Sequence, residues 1–151
     1  MKYVAMIFAF ALAILMNSCG QTDTADGADF RSVEPHGWAY GDTLSFVMTP
    51  DSSATAIGVT VRHEASYKYA NLWLEIAVEG SDTTIVDTMN VRLSDKYGRH
   101  IGQGSGVSFL KTDTLPGLYT ISDTTMIRVR HIMRVDTLEG IEQIGILTFP
   151  K

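Results

Sequence analysis

The stretch that decides the fold is residues 71–79, Asn-Leu-Trp-Leu-Glu-Ile-Ala-Val-Glu. Large aliphatic side chains occupy every second position, at Leu72, Leu74, Ile76 and Val78. Because successive side chains of a strand point to opposite faces, this period predicts one buried face and one solvated face. Glu75 and Glu79 then lie on the solvated face. An apolar face opposite a polar one is typical of antiparallel sheets.

The same period of two recurs along the chain, with Asp87 as one polar interruption. Apolar alternation marks residues 44–48, 57–61, 85–93 and 127–133, and a last apolar run covers 144–149. Threonine is common, with 16 copies, and β-branched side chains suit pleated sheets. Glycine, proline and aspartate separate the runs. We therefore predict an all-β domain of seven to nine strands over residues 31–151, an antiparallel β-sandwich of immunoglobulin-like or jelly-roll type.

The first 18 residues read as a bacterial signal peptide. Lys2 precedes an unbroken apolar run from Val4 to Met16, which as a helix spans about 20 Å and is too short for a hydrocarbon core of about 30 Å. Leu15-Met16-Asn17-Ser18 then leads into Cys19, the single cysteine, in the manner of a lipobox. The alternative is an ordinary signal-peptidase site. We predict lipidation of Cys19, and the acyl chains would anchor the protein to a membrane.

Residues 19–30 are predicted to hold the lipidated cysteine and a flexible tether. The segment is rich in glycine, threonine and aspartate, and its residues 20–29 have no apolar side chain larger than alanine. No dense acidic run follows the cysteine, whereas such runs resemble surface-export signals. We therefore expect an outer-membrane protein that faces the periplasm, with a surface location as the alternative.

Composition limits the function classes. The formal net charge is −5 and no basic run occurs, which is a poor basis for binding nucleic acid. One cysteine excludes a disulfide scaffold and a cysteine-based zinc site. Four separated histidines show no metal-binding spacing, and they are His36, His63, His100 and His131. We find no catalytic motif and expect a non-enzyme without metal or cofactor.

A glycine-rich stretch, residues 98–106, resembles a phosphate loop only superficially. No Gly-Lys-Ser/Thr follows, and no helix pattern begins after it. We predict a long connection whose glycines adopt positive φ. These glycines are Gly98, Gly102, Gly104 and Gly106.

Three arginines share one parity of one predicted strand, at Arg128, Arg130 and Arg134. They either pair across strands with carboxylates such as Glu75 and Glu79, or form a basic stripe for an acidic partner or a glycan. Aromatic residues offer the same choice between capping the core and stacking on sugars. The candidate interaction surface consists of Trp38, Tyr97, Arg99, Arg128, Arg130 and Arg134.

An ordered set of motifs runs along about residues 30–151. Its members are His36-Gly37-Trp38 with Gly41-Asp42-Thr43-Leu44-Ser45-Phe46, then Asn71-Leu72-Trp73-Leu74, the 95–106 loop, Pro116-Gly117-Leu118-Tyr119-Thr120, and Met133-Arg134 with the segment 138–146. This ordered set resembles the gliding-motility lipoprotein GldH family of Bacteroidetes. Glu139 departs from the proline of the family at a turn, and Glu142-Gln143-Ile144 departs from its acid–valine pair.

The resemblance implies a membrane-anchored, non-catalytic accessory protein of the gliding machinery or of the associated secretion machinery, working through contacts with other envelope proteins. It brings no catalytic residues with it, and members also occur in relatives that do not glide. The rival hypothesis from the residues is a glycan-binding β-sandwich of the cell envelope.

Overall fold

A computed structural model describes residue 25 and residues 27–49, 56–80, 83–117, 119 and 124–149. The predicted signal peptide, residues 1–18, and Cys19 lie outside the described residues. Within them the chain forms eleven strands and no helix. The strands are β1 (Gly27–Ser32), β2 (Trp38–Ala39), β3 (Leu44–Met48), β4 (Ala56–Glu64), β5 (Asn71–Glu79), β6 (Thr84–Arg92), β7 (Gln103–Ser105), β8 (Ser108–Thr114), β9 (Thr125–His131), β10 (Thr137–Leu138) and β11 (Ile141–Phe149).

Nine of these strands form two antiparallel sheets. The five-stranded sheet has the order β1-β11-β4-β8-β7, and the four-stranded sheet has the order β3-β9-β5-β6. The short strands β2 and β10 pair with each other. The apolar faces of the two large sheets contribute to one buried cluster. The prediction of an all-β antiparallel sandwich is confirmed, and the strands beyond the predicted seven to nine are two or three residues long.

The alternation along β5 sets the core as predicted. Leu74 and Ile76 are fully buried, whereas Glu75 and Glu79 are partly exposed. Opposite β5, the strands β4 and β11 bring their own aliphatic rows into the same cluster. These rows are Ile57, Val59 and Val61 on β4, and Ile144 and Ile146 on β11. Removal of this apolar surface from water is the main stabilising contribution.

Asp87 is the polar interruption of the inward row on β6. It lies opposite Ile76 in the register and accepts a hydrogen bond from the phenol of Tyr119. Burial, together with this carboxylate, raises the pKa of the Tyr119 phenol, so the hydroxyl keeps its proton. A carboxylate is tolerated here because β6 is an edge strand and a buried donor satisfies it.

The sheet begins earlier than the sequence predicts. β1 starts at Gly27, so residues 27–30 of the predicted tether belong to the domain. Residues 27–32 show no alternation of apolar side chains that would have marked a strand. Their pairing with β11 depends largely on main-chain hydrogen bonds, which do not require such a pattern. Phe30 lies opposite Gly145, where a Cβ would be 2.3 Å from the Phe30 ring. The absent side chain of Gly145 therefore leaves the space that the ring occupies.

The two ends of the sandwich differ. Gly27, where β1 begins, lies next to Met48, and we call this the entry end. The opposite end carries Glu64 paired with Ser108, and Asn71 paired with Arg92, and we call it the distal end. The connection between β6 and β7 crosses at the distal end and contains Gly98 and Gly102, whereas Gly104 lies within β7 and Gly106 lies in the turn between β7 and β8.

The prediction that these four glycines shape one long connection was wrong, because β7 divides it. The predicted positive φ angles are present at all four of them. Gly104 has φ +146°, and a Cβ there would lie 2.3 Å from the Ser108 carbonyl oxygen. Gly98 has φ +79°, and its surroundings are open.

Gly104→Ala should therefore destabilise the domain by more than the roughly 1–2 kcal/mol expected for left-handed backbone strain alone. Gly98→Ala should cost only that strain, because no atom lies within 4 Å of the added Cβ. Urea unfolding of both variants measures the difference. Equal losses at the two sites would contradict the close approach of the Ser108 backbone.

The parity of β5 predicts unequal costs at neighbouring positions. Leu74→Ala removes a fully buried side chain and should cost about 2–5 kcal/mol in the free energy of unfolding. Trp73→Ala removes a larger side chain that is 42% exposed, and should cost less. Denaturant midpoints of the two variants decide this, and the reverse order would show that the strand faces are exchanged.

Candidate interaction surface

Arg130 and Glu75 form a cross-strand pair on the outer face of the four-stranded sheet. The register places the two residues directly opposite each other on β9 and β5. The guanidinium donates twice to the carboxylate, with Nε–Oε1 at 2.6 Å and Nη2–Oε2 at 2.9 Å. This hydrogen-bonded guanidinium lowers the pKa of the Glu75 carboxyl. The bidentate geometry fixes both side chains along the sheet.

Arg128 is compensated in the same way, by a diagonal neighbour. Its Nη1 lies 2.6 Å from Oε1 of Glu79. Of the two alternatives weighed for the arginine row, cross-strand pairing holds for Arg128 and Arg130. These two cations therefore do not form a basic stripe.

Arg134 differs from the other two arginines. It was predicted on the same strand as the other two, and this was wrong, because β9 ends at His131 and Arg134 lies beyond it. It is exposed and has no ion pair with any residue that the structure describes. It lines a surface pocket of about 540 Å³ at the distal end, which we call the Trp73 pocket. The other lining residues are Tyr69, Trp73, Ile132, Met133 and Val135.

Tyr97 and Arg99 occupy a tight turn on the connection after β6. The Asp95 carboxylate accepts the backbone N–H groups of Tyr97 and Arg99, at 2.8 and 2.9 Å, and also the Arg99 Nε at 2.8 Å. These donors lower the pKa of the Asp95 carboxyl. The Tyr97 ring is 71% exposed, with Lys96 Nζ 4.9 Å and Arg99 Cζ 5.4 Å from its centroid. The turn presents one aromatic ring with two cations.

Trp38 was predicted to belong to the surface, and this was wrong. It is 2% exposed, its indole N–H donates to the Asp42 carbonyl, and its ring meets His131 edge-on at 5.3 Å. The two-residue pairing of β2 with β10 places it in the core. A strand this short leaves no period in the sequence.

The other aromatic candidates divide between the core and the surface. Tyr67 and Tyr119 are buried, whereas exposed rings are found at Tyr40, Tyr69, Trp73 and Tyr97. Only Tyr69 and Trp73 line the same pocket among the described cavities. The candidate surface therefore consists of separate parts, which are the compensated arginines, the Tyr97 turn, and the Trp73 pocket with Arg134.

The sequence did not indicate that two of the histidines meet. His63 and His100 have ring centroids 5.3 Å apart, and both rings stack on Phe109. His63 Nδ1 lies 3.0 Å from the Glu64 carbonyl oxygen, so this nitrogen carries the proton. Burial lowers the pKa of the His63 imidazole. His63 therefore packs as a neutral imidazole beside His100 and Phe109, and residues 37 apart in sequence give no local sign of the histidine pair.

A second pocket of about 610 Å³ opens at the distal end and has an acidic lining. Glu34, Glu64, Glu139 and Glu142 line it together with Lys68 and His36. Three of these carboxylates have partners within the chain. Glu139 pairs with Lys68 at 2.8 Å, and Glu64 and Glu142 each accept a serine hydroxyl at 2.6 Å.

The described part of the chain contains no cluster of three or more histidine, cysteine, aspartate or glutamate side chains suited to hold a metal ion. Among the same residues, no helix is long and apolar enough to cross a bilayer.

Burial of His131 makes the stability depend on pH. Its Nε2 lies 3.0 Å from the Trp38 carbonyl oxygen, and desolvation lowers the pKa of the imidazole below its ordinary 6.5. The folded protein then binds fewer protons than the unfolded chain. Stability is full above about pH 6.5 and decreases as the pH falls toward the lowered folded-state pKa, by at most about 1.4 kcal/mol per pH unit for each such histidine.

The slope of unfolding free energy between pH 7 and pH 5.5 measures this effect. His131→Gln should make the slope shallower, because the glutamine amide can donate to the same carbonyl without titrating. His36→Gln, at an exposed position, is the matched control for the change of residue type, and the His131 variant should have the shallower slope of the two. An unchanged slope in the His131 variant would contradict the assignment.

Comparison with known proteins agrees with the resemblance seen in the motifs. No curated protein matches the chain in sequence. The sequence model of the GldH lipoprotein family matches residues 28–147, which run from the second residue of β1 to β11. The match therefore includes all of the sandwich except the first residue of β1 and the last two of β11, together with the Tyr97 turn and the Trp73 pocket. The chain belongs to the GldH lipoprotein family.

Proposed function

We propose that this chain is a non-catalytic accessory component of the gliding machinery, or of the secretion machinery associated with it, and that it acts through contacts with other envelope proteins. The observation that carries the proposal is the family match over residues 28–147, which takes in every strand of the sandwich. Membership of a lipoprotein family supports a membrane-anchored envelope protein. The carboxylates that line the distal acidic pocket support a structural role, because most of them are engaged within the chain.

Cys19 is the proposed site of lipid attachment, and the outer membrane facing the periplasm is the proposed location. Seven residues separate Cys19 from Gly27, so the chain can extend at most about 29 Å between them. The strands β4, β5 and β11 are each nine residues long, or about 30 Å. An anchor joined at the entry end therefore leaves the distal end free to face away from the bilayer.

Lipidation of Cys19 is tested by labelling growing cells with radioactive palmitate. The wild-type chain should incorporate label, whereas Cys19→Ala should not, because the thiol is the acceptor. Thr22→Ala, three residues further on, is the control and should be labelled as the wild type is. Equal labelling of the Cys19 variant would rule out this anchor.

The role in the machinery is tested by deletion of the chain in its host and complementation. Deletion should abolish surface spreading or the export of secretion cargo. The wild-type chain should restore the lost activity, and Cys19→Ala should restore much less of it. A deletion strain that spreads and exports normally would overturn the proposal.

A further inference from the structure

We propose that the Trp73 pocket binds an extended acidic segment of a partner protein, with an apolar side chain on Trp73 and a carboxylate on Arg134. The inference rests on the proposed function and names the surface and the partner chemistry through which it would work. Trp73 and Tyr69 are 42% and 37% exposed at the pocket. Tryptophan and arginine are the residue types enriched among those that dominate binding energy in protein interfaces.

The pocket is a built feature with walls held by contacts of the main chain. The Ile132 N–H donates to the Trp73 carbonyl at 2.9 Å, and the Trp73 N–H donates to the Met133 sulfur at 3.4 Å. These contacts hold the segment after β9 beside the end of β5. A volume of about 540 Å³ lies within the range of ligand sites of about 300–1,000 Å³.

The charge around the Trp73 pocket favours an acidic partner. On the same outer face, Arg128 and Arg130 are neutralised by Glu79 and Glu75. Beyond Glu75, the next outward positions of β5 are Trp73 and then Asn71, so the strand offers Arg134 no carboxylate.

A second unpaired guanidinium lies close by. Arg92 is opposite Asn71 in the register and donates its Nε to the Ser94 carbonyl at 3.3 Å. The backbone N–H groups of Leu93 and Ser94 both donate to the Ala70 carbonyl at 2.9 Å, which joins this strand end to the residue after Tyr69. Within the described residues neither Arg92 nor Arg134 meets a carboxylate. An acidic segment supplies the missing charge.

The lining favours a protein segment over a glycan. Its described side chains offer the Tyr69 hydroxyl, the Trp73 indole N–H and the Arg134 guanidinium as hydrogen-bonding groups, and no carboxylate or amide oxygen. Sugar hydroxyls are bound by acceptors as well as donors, whereas the carboxylates of an acidic segment need donors alone. The pocket also lies at the distal end, away from the entry end that Cys19 would hold near the membrane.

The test uses the full-length chain in its host cells, with the photoreactive residue p-benzoylphenylalanine in place of Tyr69. Irradiation should give a protein adduct, and the same residue in place of Val86, exposed on the outer face near the entry end, should not give that adduct. Arg134→Glu should reduce the adduct by about tenfold or more, because a close charge pair is replaced by a repulsion. Arg62→Glu, at another exposed arginine without an ion pair among the described residues, should leave the yield unchanged.

Sequencing of the cross-linked partner peptide completes the test. The peptide should contain aspartate or glutamate next to an apolar residue, and changing those acids to lysine should restore the adduct with Arg134→Glu. A glycan adduct, an adduct indifferent to Arg134→Glu, or no protein adduct in cells that export and spread normally would each overturn the pocket proposal.

The two proposals fail in distinguishable ways. Loss of spreading on deletion, together with no adduct at position 69, would leave the proposed function standing and the pocket refuted. A charge-dependent adduct in a deletion strain without any defect would leave the pocket standing and the machinery role refuted.

Discussion

The alternation of side chains along β5 is the constraint on which the rest of the molecule depends. Burial of its aliphatic row against β4 and β11 fixes which side chains face water. A shift of the strand by one residue would move every side chain to the opposite face, so the two faces change only together. The outward positions then include Trp73, Glu75 and Glu79. The same constraint therefore produces the ion pairs with β9 and leaves a tryptophan exposed at the distal end. The candidate surface is a consequence of the core.

The parts of the fold that carry a period could be predicted from the sequence. The inward row of β5 and the outward parity of Arg128 and Arg130 follow from alternation over several residues. Their pairing with Glu79 and Glu75 was one of two alternatives, because the register between strands more than 40 residues apart depends on the whole sheet. Local sequence gives the face of a side chain but does not give its neighbour.

Other features leave no such signal. β1 is stabilised by its main-chain pairing with β11 and by Phe30 over Gly145, so no apolar alternation marks it. Trp38 is buried through the two-residue pairing of β2 with β10. The stacking of His63 and His100 on Phe109 joins three separate segments of the chain. Each of these depends on tertiary contacts alone, which is why a candidate site drawn from sequence included a core tryptophan and missed the histidine pair.

The three arginines Arg128, Arg130 and Arg134 differ in role because only two of them have a carboxylate of β5 within reach. Arg130 faces Glu75 directly, and Arg128 reaches Glu79 on the diagonal, so the carboxylates of β5 neutralise both. Toward the distal end the carboxylates stop and the outward positions become tryptophan and asparagine. Among the described residues, Arg134 therefore stays without a carboxylate partner at the place where aromatic surface is exposed. Six of the ten described lysines and arginines form ion pairs. Arg134 is one of the four that do not, and it is the cation that lines the pocket formed by Tyr69 and Trp73.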